Sequence, residues 1–180
     1  MKSIYELEAL KRRGINPATL GCVMLEVEPI DVRRYIDADW AYFSINPDHQ
    51  WIDGIQTEHH ITLLYGLLEN ANTIKVDVDE VLDGVQFGKT WISNITVFES
   101  PYSDEDYSCI VAEPHDSAMG IREAHSRLSM LPHVNTYPVY RPHVTLAYVK
   151  KEFTNKSKSA LQGLKGLVIT PMRLDYGYPE

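Results

Sequence analysis

The sequence has few of the features that mark secreted, membrane-spanning or metal-binding proteins. Its 180 residues include only two cysteines, Cys22 and Cys109, and neither lies in a CxxC or Cys/His cluster. This argues against a disulfide framework or a cysteine-bound metal, and we expect two buried free thiols. No apolar run approaches the roughly 20 residues that cross a bilayer, and the amino terminus does not resemble a signal peptide. We therefore expect a cytoplasmic protein without a membrane partner.

Positive charge is also scarce. The chain has 17 Lys and Arg against 25 Asp and Glu, a formal net charge of −8. A protein that binds long DNA or RNA needs a dense basic surface to displace counterions, so this composition argues against that class. A small nucleotide remains compatible, because a few donors in one pocket are enough to hold a phosphate.

The length and the 44% hydrophobic content predict one domain over residues 1–180. Residue patterns predict an α+β fold whose strands bury one face. The predicted strands cover 20–28, 60–66, 91–98, 107–113, 142–149 and 166–174, and the predicted helices cover 3–13, 77–83, 116–130 and 154–165. We predict an irregular connection over 40–54.

One internal repeat stands out. The run HITLLY at 60–65 recurs as HVTLAY at 143–148, with four of six positions identical. Side chains alternate along a strand, so each copy places one histidine and one threonine on the same face, His60 with Thr62 and His143 with Thr145. The same alternation predicts that Tyr65 and Tyr148 face away from the histidines. Two related halves are implied, and their imidazoles can converge on one concave site.

Paired imidazoles suit the cleavage of a phosphodiester. The attacking oxygen must lose a proton while the leaving oxygen gains one, and an imidazole pKa of about 6.5 lets a neutral base and a protonated acid coexist near neutral pH. The threonine hydroxyls can donate hydrogen bonds to the non-bridging phosphate oxygens. This chemistry predicts a hydrolase that needs no metal and no cofactor. The sequence does not distinguish which histidine is the base.

At these residues the chain resembles the 2H phosphoesterase superfamily, whose signature is a pair of His-φ-Thr/Ser-φ motifs. The resemblance implies two pseudo-symmetric, mostly antiparallel sheet lobes around a central cleft, with flanking helices. It also implies phosphodiesterase activity with His60, Thr62, His143 and Thr145 in the cleft.

Residues 58–67 (EHHITLLYGL) resemble the bacteriophage branch of that superfamily, although His59 stands where proline is usual. Members of the branch cleave the cyclic oligonucleotide signals of bacterial CBASS immunity. The second motif, RPHVTL at 141–146, is equally similar to the RNA-ligase branch, which leaves an RNA-end 2′,3′-cyclic phosphodiesterase or 2′,5′ RNA ligase-like enzyme open. The acidic charge favours a cyclic di- or trinucleotide substrate. A protein that sequesters the nucleotide without cutting it is a third hypothesis.

Three further residues are candidates for substrate binding. Trp91 begins a predicted strand, where its ring can stack on a base or pack on the core. Arg141 precedes the second motif and can reach a phosphate, and Tyr42 lies in the irregular connection that can border the cleft. The remaining histidines lack metal-ligand spacing, and we expect them at the surface or outside the immediate site. They are His49, His59, His115, His125 and His133.

Overall fold

The computed structural model describes residues 11–14, 16, 19–45, 51–98, 106–135 and 139–177. The strands are β1 (Gly21–Val27), β2 (Phe43–Ile45), β3 (Trp51–Asp53), β4 (His59–Leu67), β5 (Thr90–Phe98), β6 (Tyr107–Asp116), β7 (Val144–Lys150), β8 (Val168–Ile169) and β9 (Pro171–Gly177). The helices are α1 (Lys75–Leu82), α2 (Gly120–Leu128) and α3 (Thr154–Leu161), with short 3₁₀ turns at Val32–Arg34, Ala38–Trp40, Lys151–Phe153 and Gln162–Leu164. The predicted α+β class is confirmed. None of the described helices has the length and apolar character needed to cross a membrane.

Seven strands form one antiparallel sheet in the order β8-β5-β6-β7-β4-β1-β9. The sheet has two halves that meet where β4 and β7 pair, and this seam has a single bridge, between Ile61 and Val144. Because the two strands are antiparallel and overlap only near their first residues, most of β4 and most of β7 extend beyond this bridge in opposite directions. Beyond the overlap, Ile55 bridges to Ala147 on β7, and His133 bridges to Leu67 on β4. The two halves meeting at a narrow seam match the predicted pair of lobes.

The helices cover one face of this sheet. Each contributes buried residues to the main core, for example Leu82 from α1, Leu128 from α2 and Leu161 from α3. The same core contains Ile61 of β4 and Val144 of β7, the two residues of the seam bridge. Their neighbours along each strand point to the opposite face.

Element boundaries differ from the predictions at several points. The helix expected from residue 116 begins at Gly120, because Asp116 ends β6 and its carboxylate accepts hydrogen bonds from the Ala118 and Ile121 N–H groups. The strand expected over 166–174 is split into β8 and β9. The connection over 40–54 contains the β2–β3 hairpin. Most of the helix predicted over 3–13 lies outside the described residues.

His59 is buried, with 4% of its surface exposed, so of the two expected positions it takes the one outside the immediate site and not the one at the surface. The Ile30 N–H donates to its Nδ1 at 3.2 Å, which places the ring proton on Nε2, a buried atom without a partner in the described part of the chain. Burial lowers the pKa of His59 to about 4. The folded protein therefore holds a neutral imidazole where the unfolded chain holds one that protonates near pH 6.5.

This burial predicts a loss of stability in mild acid. The folded-state pKa is the lower one, so the contribution of neutral His59 is complete above about pH 6.5 and is lost as the pH falls towards 4. By linkage, the free energy of unfolding should fall by about 2 kcal/mol between about pH 7 and pH 5 from this residue alone. Urea denaturation of the wild type and of His59→Gln, which keeps an acceptor but does not titrate, measures the difference. Equal pH dependence in the two proteins would refute this assignment.

Candidate active site

The two repeated motifs meet at the seam of the sheet. Ile61 pairs with Val144, so extending the antiparallel register by one residue each way places His60 opposite Thr145 and Thr62 opposite His143. The four side chains share the face that the helices leave uncovered. Each is half-buried rather than enclosed in the core.

This register fixes the approximate spacing of the site. Directly opposite residues in an antiparallel pair have Cβ atoms about 4.5–5.5 Å apart, and diagonal neighbours are about 7–8 Å apart. His60 and His143 form one diagonal of the array, and the threonines form the other. A phosphate centred on the array can therefore have an imidazole on each of two opposite sides and a hydroxyl on each of the other two. In the described part of the chain, neither threonine hydroxyl makes a hydrogen bond to protein, which leaves both available to a ligand.

The ring of His143 is held in one orientation. Its Nδ1 lies 2.8 Å from the Arg141 carbonyl oxygen, and because a carbonyl can only accept, Nδ1 carries a proton. In the neutral ring, Nε2 then presents its lone pair. Phe98 packs beside the ring, with centroids 4.6 Å apart. Neutral His143 is thus prepared to accept a proton at Nε2, and protonated His143 to donate one there.

Two residues behind β4 hold the first motif in place. The His125 Nδ1 lies 2.7 Å from the Leu63 carbonyl oxygen, and the Tyr140 hydroxyl donates to the Thr62 carbonyl at 2.9 Å. Their rings stack, with centroids 3.7 Å apart and an interplanar angle of 6°. Burial lowers the pKa of His125 and raises the pKa of the Tyr140 hydroxyl. The backbone under Thr62 is therefore held by a half-buried pair of stacked rings that the sequence did not reveal.

The predicted orientation of Tyr65 and Tyr148 is wrong. Each strand has a register shift after its threonine: Thr62 pairs with Met24 but Leu64 with Val23, and Thr145 pairs with Val111 but Ala147 with Ile110. The extra residue in each strand is the leucine that follows the threonine. Such a bulge reverses the alternation, so both tyrosines lie on the face of the histidines, opposite Cys22 and Cys109. Their assignment to packing agrees with their burial, 4% and 1% exposed.

A glutamate flanks each histidine across the neighbouring strand. Glu26 of β1 pairs with His60, and Glu113 of β6 lies opposite His143 when the β6–β7 register is extended by one residue. Neither glutamate was among the predicted site residues. A signal was present, because the two glutamates occupy the same position in a second repeat, CVMLE at 22–26 and CIVAE at 109–113.

Each of these glutamates is bound by an arginine. The Arg173 Nε and Nη2 donate to the two Glu26 carboxylate oxygens at 2.7 and 3.1 Å. Arg141 Nη2 donates to Glu113 at 2.8 Å, and Asn94 donates to the other Glu113 oxygen at 3.2 Å. The pseudo-symmetry of the two halves therefore extends from the histidines to their charged neighbours.

The three predicted substrate-binding residues occupy different places. Arg141 is exposed next to His143, and its guanidinium lies over the Phe98 ring. Trp91 is half-buried on β5, with its ring 4.4 Å from that of His115. Tyr42 packs on Tyr107, with centroids 4.8 Å apart, in a small cluster that also contacts Phe98. Arg141 thus lies at the site, and Trp91 lies towards the far end of β6. Tyr42 packs in the cluster that contains Tyr107 and Phe98.

The described residues contain no group of three His, Cys, Asp or Glu side chains that could hold a metal ion.

No family model matches the chain, and no curated protein matches it in sequence. Among solved structures, the chain is similar to that of Kluyveromyces marxianus Usb1, with a TM-score of 0.48 and 13% identity over 83% of this chain and 82% of that chain. The structure of Kluyveromyces marxianus Usb1 with uridine monophosphate gives a TM-score of 0.47 and 13% identity, with 84% and 83% covered.

Proposed function

We propose that this protein is a phosphodiesterase that uses its own imidazoles, without a metal, to cleave a phosphodiester bond. The observation that carries the proposal is the register at the seam, which puts two His/Thr pairs in one half-buried array on one face of the sheet. A structural role does not require this arrangement. One exposed histidine in a strand is common, whereas a repeated pair meeting at a single point supports a shared task.

In the proposed reaction, one imidazole removes the proton from the attacking oxygen and the other protonates the leaving oxygen on the far side of phosphorus. The fixed Nδ1 proton of His143 leaves Nε2 as the atom that faces the phosphate. Thr62 and Thr145 donate to the non-bridging oxygens, where negative charge is held in the transition state. Where the substrate has a free 2′ hydroxyl beside a 3′,5′ linkage, that hydroxyl is the nucleophile, and a 2′,3′-cyclic phosphate is the first product.

The finer proposal is that the substrate is a cyclic oligonucleotide second messenger, a cyclic di- or trinucleotide, cleaved in the host cytoplasm to counter CBASS immunity. The net charge of −8 supports a small ligand over a long polyanion. The arginines beside the histidines support the same conclusion, because Arg141 and Arg173 are each paired with a glutamate and so form no continuous basic track. The similarity of residues 58–67 to the phage branch supports the immune role.

An RNA-end 2′,3′-cyclic phosphodiesterase is the second candidate. It is favoured by the second motif at 141–146, which is as similar to the RNA-ligase branch as to the phage branch. The chemistry at phosphorus would be the same, and the two candidates differ only in the substrate presented to the array.

Product analysis separates these candidates. The purified protein is incubated in excess chelator with cyclic dinucleotides, cyclic trinucleotides and a short RNA ending in a 2′,3′-cyclic phosphate, and the products are resolved by anion exchange. Linearised cyclic nucleotides would support the first candidate, and opening of the RNA end alone would support the second. Intact cyclic nucleotide recovered bound to the protein would indicate sequestration. Activity that disappears in chelator and returns with zinc would overturn the proposal.

A further inference from the structure

A cavity of about 310 Å³ lies directly beside the second histidine. Arg141 and Pro142 form the wall nearest to His143, and Glu113, which lies opposite His143, is part of the same wall. The start of α2 forms the far wall and contributes Arg122. The cavity is therefore lined by the two residues that precede His143 and by the glutamate opposite it, which places it next to the second motif.

The carboxylates in the cavity wall already accept hydrogen bonds from the protein. Asp116 accepts hydrogen bonds from the N–H groups of Gly88, Ala118 and Ile121, at 3.0, 3.0 and 2.9 Å. Both Glu113 oxygens are occupied, by Arg141 and by Asn94. All four carboxylate oxygens therefore have donors within the protein, and Glu113 is also paired with a cation.

Arg122 is the group left without such a partner. It is exposed, lines the cavity, and makes no hydrogen bond or ion pair in the described part of the chain. The other arginine of α2, Arg127, is held by Glu123 and by the Asp83 carbonyl oxygen. A guanidinium without an ion-pair partner, in a cavity whose carboxylate oxygens already accept hydrogen bonds, favours a phosphate, which it can bind with two parallel hydrogen bonds.

One aromatic side chain lines the same cavity. His115 lines it, and the Trp91 ring packs on His115 with centroids 4.4 Å apart. Every nucleobase has a π face that can stack on such rings. Phosphate-binding and base-stacking groups therefore occur together, next to the array that would cleave the bond.

We propose that this cavity binds the neighbouring nucleotide of an oligonucleotide substrate, with Arg122 as the ligand of a second phosphate and the His115–Trp91 pair as the platform for its base. The inference rests on the proposed function, since it names what lies beside the phosphate that the histidines attack. The inference assigns the substrate to the oligonucleotides, because a ligand with one phosphate would leave Arg122 without a phosphate to bind. The protein thereby prefers substrates with at least two phosphates.

Binding measurements test this assignment without relying on turnover. Dissociation constants are measured by calorimetry on the full chain carrying His60→Ala, with a cyclic dinucleotide and with a nucleoside 2′,3′-cyclic monophosphate. Adding Arg122→Gln should weaken the binding of the cyclic dinucleotide about 10-fold or more, as expected for the loss of a hydrogen bond to a charged group. The dissociation constant of the monophosphate should be unchanged. Arg122→Lys, which keeps the charge, should retain part of the affinity.

Arg34→Gln is the matched control. Arg34 is exposed and outside the cavity, so this variant removes the same charge and should bind both ligands like its parent. Equal weakening of the two ligands by Arg122→Gln, or no weakening of either, would overturn the inference. A wild-type chain that binds the dinucleotide through Arg122 but cleaves nothing would count against the proposed function while supporting the cavity assignment.

Discussion

Replacing His143 by alanine should lower kcat by about 10²–10⁴-fold, the usual contribution of a positioned acid or base. His60→Ala should do the same, because each imidazole handles one of the two protons in the reaction. The double variant should be little worse than the poorer single variant, since the two groups act as a unit. Single-turnover assays with a cyclic dinucleotide in chelator provide the measurement.

The fold should survive these substitutions. Both side chains are half-buried on the uncovered face, whereas the seam is held by Ile61 and Val144. His133→Ala is the matched control, because His133 is bridged to Leu67 at the end of β4 away from His60. This variant should turn over substrate like the wild type. Unchanged thermal midpoints with lost activity support the account, and a fully active His60→Ala enzyme would refute the paired mechanism.

Removing a single threonine hydroxyl should have the next largest effect. Thr62→Val and Thr145→Val keep the shape of the side chain but remove a donor to the phosphate, and losses of about 10²–10³-fold in kcat are typical when one such donor is removed. Serine at either position should retain most of the rate, because it keeps the hydroxyl. The comparison requires kcat and KM to be measured separately.

The face of the sheet provides a control for this prediction. Thr96 of β5 lies in the same row as Thr145, with Val111 between them, and so shares the face without reaching the seam. Thr96→Val should leave kcat unchanged. If all three valine variants lose activity equally, the effect belongs to the sheet as a whole, and the hydroxyls of the motifs have no special role.

Much of the sheet could be predicted from local pattern. The strand over 60–66 and the strand over 142–149 correspond to β4 and β7, because each combines β-branched and aromatic residues with a clear repeat. Their pairing could not be read from spacing alone. It depends on the single Ile61–Val144 bridge, which joins residues far apart in the chain.

The orientation of Tyr65 and Tyr148 shows where alternation fails. A β-bulge follows the threonine in both copies, and its extra residue reverses the alternation that the prediction assumed. The glutamates beside the histidines were easier to predict, since the repeat of Cys-x-x-x-Glu at 22–26 and 109–113 is visible in the sequence. Its meaning depends on knowing that β1 and β6 flank the seam strands.

The cavity beside His143 could not be predicted. Arg122 is one of several exposed arginines, and only the structure shows that Asp116 and Glu113, which line the same cavity, are already bound by other groups. The helix predicted from residue 116 would also have placed Arg122 in its second turn, whereas α2 begins at Gly120 and puts it in the first. The difference arises because the Asp116 side chain accepts backbone hydrogen bonds at the end of a strand.

A crystal structure of the protein with a nucleoside and vanadate, which mimics phosphorus with five bonded oxygens, tests the paired site most directly. We expect the His60 and His143 rings to contact the two apical oxygens, at hydrogen-bonding distances of about 2.7–3.2 Å, with Thr62 and Thr145 on equatorial oxygens. Vanadate held by only one imidazole, with the other ring turned away, or vanadate bound elsewhere on the chain, would contradict the account.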